Sequence, residues 1–137
     1  MAKLSSTVGE VPAIAQTRIS IVIPAFNAQK ELALALQSLA KSTCAPYECI
    51  VVDDCSTDES VAVAREHGAI VINMPKRSGP AAARNRGASL ATGEILFFLD
   101  ADVCVHRDTL QRVETSFQAD DSLAALIGSY DDDPLSQ

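Results

Sequence analysis

A three-layer α/β fold, with a mostly parallel sheet covered by helices on both faces, is predicted by three observations. Short apolar runs rich in Ile and Val alternate with amphipathic stretches. The runs are predominantly apolar rather than alternating, as in strands buried on both faces. Turn and helix-start residues separate them at short intervals, the signature of repeated strand–helix units.

The elements follow in order. Ile19–Pro24 is a β-branched run that Pro24 stops. Glu31–Ala40 places Leu32, Leu36 and Leu39 on one helical face. Tyr47–Val52 is a second buried strand, ending at Asp53-Asp54. Ser56-Thr57-Asp58-Glu59 matches a capping box, with Ser56 as N-cap and Glu59 at N3. The helix it opens should end near Gly68, and Ala69–Asn73 makes a short third strand. Gly79-Pro80 starts a helix with Pro80 at N1, Ala81–Ala91 continues it, and Gly93 closes it. Glu94–Leu99 is the fourth strand. Asp108 is expected to cap a helix carrying Leu110, Val113 and Phe117, and Leu123–Gly128 reads as a fifth strand. Asp131-Asp132-Asp133-Pro134 is a turn or loose end. Met1–Thr17 is mixed and polar, read as a flexible arm before a domain over residues 18–137.

Composition narrows the function. The chain has 137 residues, one ordinary domain, and 47% of them are hydrophobic, enough for a core. Aromatics make up only 4%, so that core is aliphatic. Eleven basic against eighteen acidic residues give a net charge of −7, which disfavours nucleic acid and anionic membrane surfaces as partners. No run is long and apolar enough to span a membrane. Cys44, Cys49, Cys55 and Cys104 form no CxxC pair and have no histidine at metal-ligand spacing. They read as reduced thiols in a cytoplasmic protein, with peripheral membrane association left open. His67 and His106 read as solvated.

Right-handed crossovers put all strand C-termini on one edge of such a sheet, where ligands bind at the reversal of strand order. Here three strands end in Pro24-Ala25-Phe26-Asn27, in Asp53-Asp54, and in Asp100-Ala101-Asp102. Up to four carboxylates would gather on that edge, and gathered carboxylates need a cation or hydrogen-bond donors to balance them. A divalent cation, Mg²⁺ or Mn²⁺, fits such hard oxygen ligands, completed by substrate phosphates. Alone, each acidic pair could merely end a strand or solvate a turn. At least one of Asp53 and Asp54 reads as a base or ribose reader. Arg84, in the first turns of the third helix, is either part of a solvated face or a cation for a diphosphate. There is no GxGxxG after a strand, no P-loop and no GxSxG elbow.

Four segments, in order and spacing, resemble family 2 glycosyltransferases, inverting enzymes of the GT-A fold, the nucleotide-diphospho-sugar transferase-like architecture. They are Ser20–Asn27, Ile50–Asp58, Gly79–Gly87 and Phe97–Asp102. The resemblance covers roughly residues 18–130. It implies that Pro24, Ala25, Phe26 and Asn27 line a nucleotide pocket, with Phe26 near the base. Asp54 or Asp53 would contact the base and Arg84 the diphosphate. Asp100, Ala101 and Asp102 would hold the nucleotide-sugar, with Asp100 and Asp102 at the metal and Asp102 its ligand. The partner implied is a UDP- or GDP-sugar. Cys55 and Phe26 are mild departures from the family pattern.

The family's catalytic base, an Asp or Glu, lies in a later segment than this chain contains, so the reading is a partial GT-A domain that binds donor without transferring sugar by itself. No catalytic residue is assigned, and apolar surface left uncovered could drive self-association. The alternative is a non-catalytic nucleotide- or partner-binding module. A phosphotransfer domain fits less well. Cys104 stands where the phosphatase motif DxDx[TV] needs Thr or Val, and no Lys follows Lys76 for a receiver domain.

Overall fold

In the computed structural model, residues 16–129 are described. The expectations for the arm before Gln16 and for the turn at 131–134 lie outside them. Strand β1 (Ile19–Ala25) leads to α1 (Gln29–Ala40), β2 (Glu48–Asp53), α2 (Ser60–Glu66) and β3 (Ile70–Asn73). Helix α3 (Pro80–Leu90), β4 (Ile95–Phe98) and α4 (Thr109–Ala119) follow. The strands form one parallel sheet in the order β3-β2-β1-β4. The chain winds from β1 outward to β3, then crosses back over the sheet to β4. That reversal lies between β1 and β4.

The three layers follow from the strand alternation. Ile19, Ile21, Ile23 and Val51 pack with Leu32, Leu36 and Leu39 of α1, Ala64 of α2 and Leu110 of α4. Val22, Ile50 and Val52 point the other way, against Ala83 of α3. Gly87 is what lets α3 lie so close. A methyl group there would overlap the Val22 side chain and meet Val52 at 3.0 Å. On the same face, Leu96 and Phe98 of β4 remain exposed, since α3 covers β1 and β2 rather than the edge strand.

The N-terminal edge of the sheet is closed by a polar knot. The buried Ser20 hydroxyl donates to Glu48 Oε1 at 2.7 Å and accepts the Gly93 N–H at 2.8 Å. The Thr92 N–H donates to the same Glu48 oxygen at 2.6 Å. The starts of β1, β2 and β4 are thereby tied together. Gly93 is required there, because a Cβ would overlap Ser20 Oγ and lie 2.8 Å from the Arg18 carbonyl oxygen. These donors, the Thr92 N–H foremost, hold the Glu48 carboxyl below its usual range.

Four expectations are corrected. Helix α2 starts at Ser60, so Ser56 is not its N-cap and Glu59 is not at N3. The Ser56 hydroxyl instead accepts the Asn27 N–H at 2.9 Å, and Asp58 Oδ1 accepts the Ser60 N–H at 2.9 Å. A tertiary partner took the hydroxyl, and an Asx turn replaced the capping box. Asp108 occupies the N-cap position of α4 but makes no side-chain cap hydrogen bond. Leu123–Gly128 is not a strand: no strand among the described residues pairs with it, and Ile127 is 98% exposed. Pro24 does not stop β1, which runs on through it to Ala25 in register with β2. Ahead of β1, the Thr17 N–H donates to Glu114 Oε1 at 2.9 Å. All four cysteines are free thiols, and burial of Cys49 in the core pushes its thiol up to about 11.

Gly87→Ala should destabilise the fold by about 1–3 kcal/mol through overpacking, read as a lower urea midpoint at unchanged slope. An unchanged midpoint would mean that α3 does not bear on the sheet at this point. Glu48 supplies a pH test. Its folded-state pKa is depressed, so its contribution is present above the unfolded value of about 4.5 and lost as pH falls through the folded value. Glu48→Gln should therefore lower the midpoint at pH 7, and the gap to wild type should narrow below about pH 4.5. A gap that stays constant across that range would contradict the assignment.

Candidate functional site

The C-terminal edge of the sheet is built from three loops and the start of α3. Asp54 leaves β2 with its side chain on the α3 face and is only 3% exposed. Its Oδ1 accepts the Ser78 N–H and its Oδ2 the Gly79 N–H, each at 2.8 Å. These are amides at the entry to α3, which have no helical acceptor. Gly79 takes φ 92°, a conformation suited to glycine, and Pro80 follows at N1. Asp54 thus fixes where α3 begins. Its own N–H donates to the Ala25 carbonyl at 2.8 Å, which binds the ends of β1 and β2 together.

Beside this carboxylate is a small cleft of about 150 Å³, lined by Pro24, Ala25, Phe26, Asp54, Arg77 and Pro80. Its volume suits one planar ring rather than a whole nucleotide-sugar, since drug-sized ligands occupy roughly 300–1,000 Å³. The Arg77 guanidinium lies over the Phe26 ring, 3.3 Å from its centroid, and its Nε is 4.0 Å from Asp54 Oδ2. Arg77 was not anticipated from the sequence. It sits in an aperiodic loop, and only its place just before Ser78-Gly79-Pro80 could have drawn notice.

Two of the expected residues turn away from this cleft. Asn27 has φ 45°, and its Oδ1 accepts the Thr57 N–H at 2.8 Å and the Thr57 hydroxyl at 3.3 Å. It fastens the loop after β1 to the loop after β2, and it borders a second shallow cleft with Gln29, Lys30, Glu31 and Asp58. Asp53, by strand alternation, points to the opposite face from Asp54. Its Oδ2 accepts the Ser56 N–H at 3.1 Å, while its buried Oδ1 has no hydrogen-bond partner. Within the loop after β2, Cys55 takes φ 66°, an uncommon value for a residue other than glycine, with its Sγ 3.3 Å from the Met74 carbonyl oxygen.

The third loop carries Asp100, Ala101 and Asp102. The Val103 N–H donates to the Asp100 carbonyl at 3.1 Å, closing a four-residue turn with Ala101 and Asp102 at its corners. Buried Leu99 and Val105 anchor the turn on either side. Both carboxylates are exposed. Arg84, one turn into α3, reaches Asp100 Oδ1 with its Nη2 at 2.6 Å. The four carboxylates share an edge but do not converge. Among the described residues no three His, Cys, Asp or Glu side chains are grouped to hold a metal ion. Backbone amides answer Asp54 and one oxygen of Asp53, and an arginine answers Asp100. No helix among the described residues is long and apolar enough to cross a membrane.

Sequence and fold are both similar to those of known proteins. The chain is 35% identical over 128 residues to a PGL/p-HBAD biosynthesis glycosyltransferase of Mycobacterium bovis (strain BCG / Pasteur 1173P2), an alignment covering 89% of this chain and 46% of that protein. The chain therefore spans about half the length of this relative. Its fold matches S. aureus TarS 1-349 in complex with UDP-GlcNAc, with TM-score 0.71, 30% identity, and coverage of 75% of this chain and 32% of that one. It also matches the mannosyltransferase PcManGT from Pyrobaculum calidifontis in complex with GDP-Man and Mn²⁺. There the TM-score is 0.63 and the identity 28%, over 71% of this chain and 31% of that one. The model for glycosyl transferase family 2 matches residues 20–135. The chain is thus a member of glycosyl transferase family 2, with the GT-A architecture that its parallel sheet and strand-end loops display.

Proposed function

We propose that this chain binds the nucleoside diphosphate sugar donor of an inverting, metal-assisted glycosyltransferase. The observation that carries the reading is the juxtaposition on one sheet edge of a ring-sized cleft with an Arg84–Asp100 pair beside an exposed second carboxylate. The cleft offers the Asp54 carboxylate for hydrogen bonding and, with the Arg77 side chain displaced, the Phe26 face for stacking. Each Asp54 oxygen accepts one amide and keeps a further lone pair. That lone pair suits the imide N–H of uracil or the ring N–H of guanine. UDP-GlcNAc in TarS and GDP-Man in PcManGT are consistent with either base.

Arg84 would serve the diphosphate from its pair with Asp100, since its fork geometry suits phosphate oxygens as well as a carboxylate. Asp100 and Asp102 are hard oxygen donors on an exposed turn. Two carboxylates completed by substrate phosphates are a usual Mg²⁺ or Mn²⁺ arrangement, so the donor set fits such an ion. Bound there, a divalent cation would neutralise the departing nucleoside diphosphate. Arg84 would hold Asp100 in place and share its charge with the phosphates. Attack by an acceptor hydroxyl on the opposite face of the sugar would invert the anomeric carbon. The acceptor and its general base are outside what these residues supply.

Calorimetry with UDP and GDP, with and without Mn²⁺, tests this. At least one nucleotide should bind, and Mn²⁺ should tighten it. Asp102→Ala should reduce the Mn²⁺ enhancement by at least about tenfold while leaving the fold intact. Folded protein that binds neither nucleotide under either condition would sink the reading. An undiminished metal effect in Asp102→Ala would remove Asp102 from the metal.

A further inference from the structure

Arg77 occupies the one aromatic face of the cleft. Its guanidinium carbon lies 3.3 Å from the Phe26 centroid, van der Waals contact for two stacked planar groups and well inside the range of about 6 Å over which a cation and a ring attract. A planar base seeking that face meets the guanidinium first. We propose that Arg77 is an exchangeable stand-in for the base: it stacks on Phe26 in the free protein, yields that face to the incoming base, and transfers its charge to the diphosphate. This rests on the nucleotide reading above and assigns Arg77 a role in selecting diphosphates over bare nucleosides.

Three observations support the exchange. The Arg77 side chain is 60% exposed, so it can leave without opening the core. Its only other close partner among the described residues, Asp54 Oδ2, is 4.0 Å away and already accepts the Gly79 N–H at 2.8 Å. The stack is therefore its main tie. Meanwhile its backbone is held, because Asp54 fastens Ser78 and Gly79 immediately after it. The side chain pivots from a fixed base, and departure costs side-chain contacts alone. Arg84 differs: it is committed to Asp100 at 2.6 Å. Arg77 is thus the more available of the two guanidinium groups for new anionic oxygens.

The exchange has a signature that a supporting role would not produce. A nucleoside displaces the guanidinium and gives it no new partner. A nucleoside diphosphate displaces it and supplies one. Removing the side chain should therefore shift the two affinities in opposite directions. The test is an NMR titration of the folded chain with uridine and with UDP, both in Mg²⁺, for wild type, Arg77→Ala and Arg77→Lys. Arg77→Ala should bind uridine about 2- to 5-fold more tightly, the worth of an exposed cation–π contact. It should bind UDP roughly tenfold more weakly, the loss of one charge-assisted phosphate contact. Arg77→Lys should keep most of the UDP affinity. The Arg77 Nε–H resonance should be ring-current shifted in the free wild type and lose that shift on adding UDP. If uridine and UDP both weaken in Arg77→Ala, or UDP affinity is unchanged, the exchange is wrong. If wild type binds neither, the nucleotide reading itself falls and the exchange goes with it.

Discussion

The organisation of the site depends on one buried carboxylate. Asp54 accepts the amides of Ser78 and Gly79, and through them sets the first residue of α3 and the direction in which that helix leaves the loop. Arg77 precedes these amides by one residue and Arg84 follows them by one and a half helical turns. The positions of both cations are therefore consequences of the same two hydrogen bonds. A charged acceptor serving two otherwise unsatisfied donors in a site 3% exposed is among the stronger polar arrangements available to a protein. The cost of burying the carboxylate is offset because the amides it serves would themselves be unpaired.

This also changes how the acidity of the edge is understood. Counting aspartates at the strand ends suggested a concentration of negative charge demanding a cation. In the fold, Asp53 and Asp54 diverge to opposite faces of β2, and each is engaged by backbone N–H groups. What stays open to solvent is the turn at Asp100 and Asp102, half-answered by Arg84. The electrostatic demand is local to that turn, where one carboxylate is paired with a guanidinium group and the other is open to solvent.

Much of the architecture was legible because it rests on short-range rules. The mainly apolar runs at 19–24 and 47–52 became β1 and β2 within a residue, and Gly79-Pro80 opened α3 with its proline at N1. The misses share a cause: partners distant in sequence. Ser56 had the local pattern of a cap, yet Asn27 claimed its hydroxyl across 29 residues. Leu123–Gly128 had the composition of a strand, but a strand exists only when a neighbour offers its ladder. The candidate site divided in the same way. The strand-end positions of Pro24–Phe26, Asp54 and Asp100–Asp102 were visible from the pattern of runs. That Asn27 and Asp53 would be consumed as fasteners, and that Arg77 would cover Phe26, was not, because nothing periodic marks a side chain folding back over a loop.

The knot at the opposite edge has a practical corollary. Ser20, Glu48, Thr92 and Gly93 secure the strand beginnings with hydrogen bonds that involve no residue of the binding edge. The sheet is thus riveted at one end and equipped at the other. Sequence diversity introduced into the loops at 74–78 and 100–104 would be tolerated by the scaffold more readily than diversity at residues 92–94. A randomised library should vary the exposed residues of the first segment, keep Asp100 and Asp102 in the second, and leave the third untouched.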